Sequence, residues 1–248
     1  MSDDALRRSC PPGYLVCTHP RAGSTFFCQL LESTMKLGKP LEYFNEGYMR
    51  RRFTDASNPA HLPNQLRHYM DSAATENGIR SAKVFWFDIQ RLAQAKLLHH
   101  FRGYRFVLLE RKDKVAQAIS ISRALRSGKL RADMAVPDVE VQYDYPDIKK
   151  RLLRLIRAEK QWLNFFDRTG IDPLRCNYEA LMVDPQLTID QVAETMELVE
   201  PVPIDPEFVS VSVQRDAKST EWYRRFVVQA YEDDPELLSG FSHLPNSR

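Results

Sequence analysis

The stretch "YLVCTHPRAGSTFFCQLL", residues 14 to 31, constrains the fold more than any other part of the chain. A short apolar run from Tyr14 to Thr18 passes through a loop of small residues into a segment whose apolar spacing is helical. That is the opening of a βα unit. Three more β-like runs follow: "RSAKVFWF" (80–87), "YRFVLLE" (104–110) and "LRCNYEAL" (174–181). The first helix is expected from Ser24 or Thr25 to near Gly38, with others near 64–77 and over 147–168. Strands alternating with helices predict a parallel sheet of four or five strands with helices on both faces. With 248 residues, no internal repeat and no low-complexity tract, the chain reads as one α/β domain over 1–248, with flexible tails at 1–12 and 232–248.

Charge narrows the partners. A formal net charge of +2 is too small to make nucleic acid or a membrane surface the main partner. The longest basic cluster, "KKRLLRLIRAEK" (149–160), is amphipathic, with Leu152, Leu155, Ile156, Leu163 and Phe166 on or near one face, so its charges read as a solvated helix face. The four cysteines, Cys10, Cys17, Cys28 and Cys176, have neither paired nor metal-like spacing. No stretch approaches the roughly 18 apolar residues a membrane span requires, and the first twenty residues lack a signal-peptide pattern. The expected compartment is the cytoplasm.

The loop at 19–25 carries the first chemistry. At a strand-to-helix turn the leading N–H groups have no intrahelical acceptors, and the helix dipole adds partial positive charge. Such a place suits an anion. Gly23 allows close backbone approach, Ser24 and Thr25 offer hydroxyls, and Arg21 supplies a permanent charge with a fork suited to oxyanions. Ser24 can equally cap the helix. A nucleotide-triphosphate loop does not fit, because no lysine precedes the Ser-Thr pair and the first glycine of that motif is missing. A cysteine-dependent phosphatase does not fit either, since only three residues separate Cys17 from Arg21. Cys17 and Cys28 read as core residues.

Taken together, "PRAGSTFF" (20–27), "GKPLEYF" (38–44), "FVLLERKDKVAQAISISRA" (106–124) and "QRDAKSTEW" (214–222) resemble the sulfotransferases, in the form of the bacterial trehalose 2-sulfotransferase family. The resemblance runs from residue 14 to about 225. It implies a P-loop-like sulfotransferase fold and 3′-phosphoadenosine 5′-phosphosulfate (PAPS) as sulfuryl donor. A sugar hydroxyl, on a carbohydrate or glycolipid, would be the acceptor, with no metal and a homodimeric assembly. By the same resemblance the donor's phosphates fall to Arg21, Ala22, Gly23, Ser24 and Thr25, and to Arg111, Ser120 and Lys218. Arg21 also acts in catalysis, on the departing phosphate. Segment 46–78 would line the acceptor pocket.

Glu42 is then the expected general base, close in sequence to the loop and flanked by aromatics. Read alone it is a solvent-facing glutamate. His19 is the rival base, because imidazole titrates near neutrality, and Glu46 is a weaker one. Trp86, Tyr43 and Phe44 are candidate walls for an adenine or a sugar face. His99-His100 lacks companions at metal spacing. Two other classes share the fold and the loop. A nucleotide or small-molecule kinase would need a loop lysine and a magnesium-holding acid, and a non-catalytic nucleotide-binding protein would have no use for Glu42.

Overall fold

The computed structural model describes residues 13–47, 62–129, 139–210 and 217–239. Its contacts sort into two compact units, residues 1–110 with 162–210, and residues 111–161 with 211–248.

The first unit is built on a four-stranded, all-parallel sheet in the order β2-β1-β3-β4. The strands are β1 (Gly13–Thr18), β2 (Arg80–Phe85), β3 (Arg105–Glu110) and β4 (Leu174–Asn177). Alternation decides which side chains go to which face. Leu15, Cys17, Ala82, Val84, Phe106 and Leu108 build one core with Leu66 and Tyr69 of α2 (Leu62–Ser72) and Ile89 and Leu92 of α3 (Trp86–Gln94). Tyr14, Val16, Val107, Leu109 and Cys176 build the other with α1 (Ser24–Ser33) and later helices α6 (Tyr178–Val183) and α7 (Pro185–Thr195). A strand buried on both faces must be apolar at nearly every position, which is why these runs were visible in the sequence.

The predicted elements hold with shifted ends. "LRCNYEAL" leaves the sheet at Asn177, whose side chain accepts from the Ala180 N–H at 2.8 Å and starts α6. Strand two likewise ends at Phe85, where the Asp88 carboxylate accepts from the Phe85 N–H at 2.9 Å and opens α3.

The second unit is helical. α4 (Lys114–Ser127) packs Val115, Ala118 and Ile119 against Trp222, Phe226 and Ala230 of α8 (Ala217–Asp233), with Ile148 and Leu152 of the long helix α5 (Tyr145–Thr169) completing the core. Leu152, Leu155 and Phe166 are buried as their spacing predicts, whereas Leu163 is exposed. Residues 232–239, expected as part of a flexible tail, are helical, in the end of α8 and in α9 (Pro235–Ser239). The other predicted tail residues, 1–12 and 240–248, lie outside the described residues, as does most of segment 46–61. Among the described residues no helix is long and apolar enough to cross a membrane.

Candidate active site

β1 ends at the carboxyl edge of the sheet, where the Thr18 hydroxyl donates to the Leu109 carbonyl at 3.1 Å and ties the ends of β1 and β3 together. The chain then turns sharply. Arg21 adopts φ of 62° and Gly23 φ of 81°. A non-glycine residue in the left-handed region costs of order 1–3 kcal/mol, a strain concentrated at functional turns. Gly23 is required twice over, because a Cβ there would sit 2.3 Å from the Tyr178 ring.

The turn delivers the chain into α1 with Gly23, not Ser24, as its N-cap, and no side chain caps it. The alternative in which Ser24 caps the helix does not hold: Ser24 is the first helical residue and is buried, while Thr25 is exposed. The first intrahelical bond runs from the Phe27 N–H to the Gly23 carbonyl at 3.0 Å, and the first turn carries no acidic residue. Ala22 is buried and Arg21 is exposed. His19 is 3% exposed, a poor position for a base that must meet an incoming substrate.

Glu42 reaches the same side of the sheet by a different device. Gly38, at φ of 71°, passes so close to β2 that a Cβ would lie 2.4 Å from the Ser81 hydroxyl. The chain beyond it runs along edge strand β2: Leu41 forms a parallel bridge to Ala82, and the Lys83 N–H donates to the Leu41 carbonyl at 2.9 Å. Glu42 therefore stands beside Lys83. The Lys83 ammonium lies 2.8 Å from Glu42 Oε1, and the Asn45 amide donates to Glu42 Oε2 at 2.7 Å.

This differs from the expected aromatic setting. Tyr43 and Phe44 turn inward to the core and are 1% and 0% exposed, so they wall nothing. Trp86 packs edge-on against Trp162 at 5.3 Å. The aromatic rings at this edge are instead Phe85 and Phe87, stacked at 5.7 Å, with Phe87 exposed.

Lys83 is the site residue that the sequence reading missed. Its signal was a single lysine inside "RSAKVFWF", since a charge in the middle of a buried strand requires a partner. Two neighbours sense the pair. Burial pushes the Cys28 thiol of α1 up to about 12, eased by the Lys83 charge and raised again by that of Glu42. Burial likewise pushes the Asp88 carboxyl up to about 7, held down by the Phe85 N–H and raised by Glu42. Cys17, Cys28 and Cys176 are all buried, as core residues should be.

The remaining expected residues belong to the second unit. Arg111, half-buried, begins it directly after β3, and Ser120 lies half-buried on α4. Lys218 opens α8 and stands 3.6 Å from Glu140, a loose and exposed pair. α4 and α8 are joined near these residues by a hydrogen bond from Arg123 to the Ser219 hydroxyl and by the Arg123 guanidinium 5.9 Å from the Trp222 ring. Among the described residues no three His, Cys, Asp or Glu side chains gather as metal ligands.

A parallel α/β sheet with a left-handed, glycine-capped turn at the carboxyl end of its first strand places a helix N-terminus at the edge where ligands of open α/β folds gather. The chain belongs to the Stf0 sulphotransferase family, whose pattern it matches over residues 13–103 and 88–229. It is 26% identical to the trehalose 2-sulfotransferase of Mycolicibacterium smegmatis, a match covering 90% of this chain and 97% of that protein. The trehalose 2-sulfotransferase of Mycobacterium tuberculosis is 25% identical, covering 88% and 95%. A solved sulfotransferase from Alicyclobacillus acidocaldarius aligns with 91% of this chain and 98% of its own at 14% identity and a TM-score of 0.48.

Proposed function

We propose that this sulfotransferase moves a sulfuryl group from PAPS to a hydroxyl of a carbohydrate or glycolipid. The observation that carries the reading is the pairing of family membership with a loop in which Arg21 and Gly23 both hold left-handed backbone before an α1 that no side chain caps. In this reading the leading N–H groups of α1, the Ser24 and Thr25 hydroxyls and the Arg21 guanidinium face the donor's 5′-phosphate. Arg111, Ser120 and Lys218 are assigned its 3′-phosphate on the family resemblance. Glu42 takes the proton of the attacking hydroxyl as the new sulfur–oxygen bond forms. The sulfur–oxygen bond to the donor breaks in line, and adenosine 3′,5′-bisphosphate departs with its charge met by Arg21 and the helix terminus. Positioning and charge stabilisation supply most of the catalysis, as in phosphoryl transfer.

The test is selective binding. Adenosine 3′,5′-bisphosphate at a hundred times its dissociation constant should stabilise the protein by about 2.7 kcal/mol, well beyond ATP or NADPH at equal concentration. Arg111→Ala should weaken the bisphosphate by roughly 2–5 kcal/mol and AMP far less. Equal losses for the two nucleotides would remove Arg111 from the site, and preference for ATP would remove the donor assignment.

A further inference from the structure

Lys83 occupies the centre of β2, with Ala82 and Val84 facing the opposite core, and its side chain is 7% exposed. A lysine so deep is costly unless paired, and replacing a buried pair by apolar residues is often neutral or stabilising. Stability alone therefore does not account for it. Nor does the course of the chain. The backbone around Glu42 is already fixed by Lys39 N–H to the Ala73 carbonyl at 2.9 Å, by the Leu41–Ala82 bridge, and by Arg91 donating to the Phe44 carbonyl at 2.9 Å. What those bonds leave undetermined is the Glu42 side chain. Lys83 takes one of its oxygens and Asn45 the other. The carboxylate is then held in plane and rotation while 19% of the side chain stays open to a reactant.

We propose that Lys83 is a positioning residue for transfer: with the Asn45 amide, its ammonium fixes the Glu42 carboxylate in the orientation that receives the acceptor's proton. This rests on the base role given to Glu42 above. Lys83 need not touch the donor or the acceptor. Its contribution is geometric, and a misplacement of about 1 Å at a reacting group can cost 10²-fold.

The experiment is a double-mutant cycle on Lys83→Met and Glu42→Gln in the full chain. It is read as release of adenosine 3′,5′-bisphosphate from PAPS, with trehalose as the probe acceptor and with water as acceptor should trehalose be refused. Lys83→Met should lower kcat by about 10²-fold with little change in KM for PAPS, and Lys83→Arg should recover part of the loss. Combining it with Glu42→Gln should cost nothing beyond Glu42→Gln alone, because residues acting as one unit are non-additive. Bisphosphate-induced thermal shifts certify that each variant folds. Should Lys83→Met not fold, Asn45→Ala enters the same cycle at the other carboxylate oxygen. An inactive Glu42→Gln beside a fully active Lys83→Met, or losses that multiply, would overturn the positioning role alone. A fully active Glu42→Gln would overturn the base role and this one with it.

Discussion

Replacing Asp88 by asparagine should change how the protein's stability depends on pH. Asp88 is 0% exposed, one of its oxygens accepts from the Phe85 N–H at 2.9 Å, and the other has no hydrogen-bond partner among the described residues. Burial first, then the Glu42 charge, lifts its carboxyl from 3.8 to about 7. Below the unfolded value both states carry the proton and the group is neutral in effect. As pH rises, the unfolded chain releases it while the native chain keeps it, so stability falls across this window and levels off above about 7. At 1.36 kcal/mol for each factor of ten in affinity for the proton, the interval from pH 4.5 to 8 carries about 3 kcal/mol. For a chain of this size that is about 6–12 °C in Tm. Asp88→Asn keeps an acceptor for Phe85 and cannot ionise, though its buried amide hydrogens cost about 1–3 kcal/mol at every pH. The readout is therefore the difference in Tm between the variant and the parent, followed by calorimetry from pH 4.5 to 8. It should move in the variant's favour by several degrees with increasing pH, and added salt should change it little because the site is buried. Parallel curves for the two proteins would refute the argument.

Other expectations are read more directly. Glu42→Gln should leave donor affinity almost unchanged while lowering turnover by roughly 10²–10⁴-fold, and His19→Asn should cost far less, as steady-state kinetics on both will show. The reverse ranking would hand the base role to the histidine. Gly23→Ala should destabilise by about 1–3 kcal/mol and abolish the bisphosphate thermal shift, since its Cβ meets Tyr178 at 2.3 Å. Gly78→Ala, at a φ of 85° with nothing within 4 Å, carries the backbone strain alone and should bind the bisphosphate normally.

What was legible in the sequence follows from what each feature depends on. The four strands and the turn after β1 are local: an apolar run followed by an arginine and a glycine two residues apart declares itself without knowledge of the fold. The ends of "LRCNYEAL" and "RSAKVFWF" were misjudged because Asn177 and Asp88 divert the backbone into helices by side-chain bonds that propensity does not show. The aromatic setting of Glu42 was misread for a longer-range reason. Adjacency in "PLEYF" suggested walls, but Tyr43 joins Tyr69 at 5.3 Å and Phe44 joins Phe101 at 5.7 Å inside a core formed by residues far along the chain.

For the base role proposed for Glu42, a carboxylate bound at both oxygens is at first sight an odd choice. An ionised carboxylate offers about four lone-pair positions. Lys83 and Asn45 occupy one on each oxygen, which leaves one on each for an incoming hydroxyl. The cost in vacant acceptors is thus moderate, and the return is conformational. A free glutamate loses up to about 2 kcal/mol of rotamer freedom when it is ordered. If that ordering fell in the transition state it would raise the barrier directly, whereas here folding has already met it. Folding can do so cheaply because β2 is the edge strand: its outer side is open to the Gly38–Glu42 segment, which brings carboxylate and ammonium together through backbone bonding. An interior strand would have had no vacant edge for that segment. The placement of Lys83 on β2, at the edge of the order β2-β1-β3-β4, is therefore what allows one buried lysine to hold a carboxylate supplied by a loop.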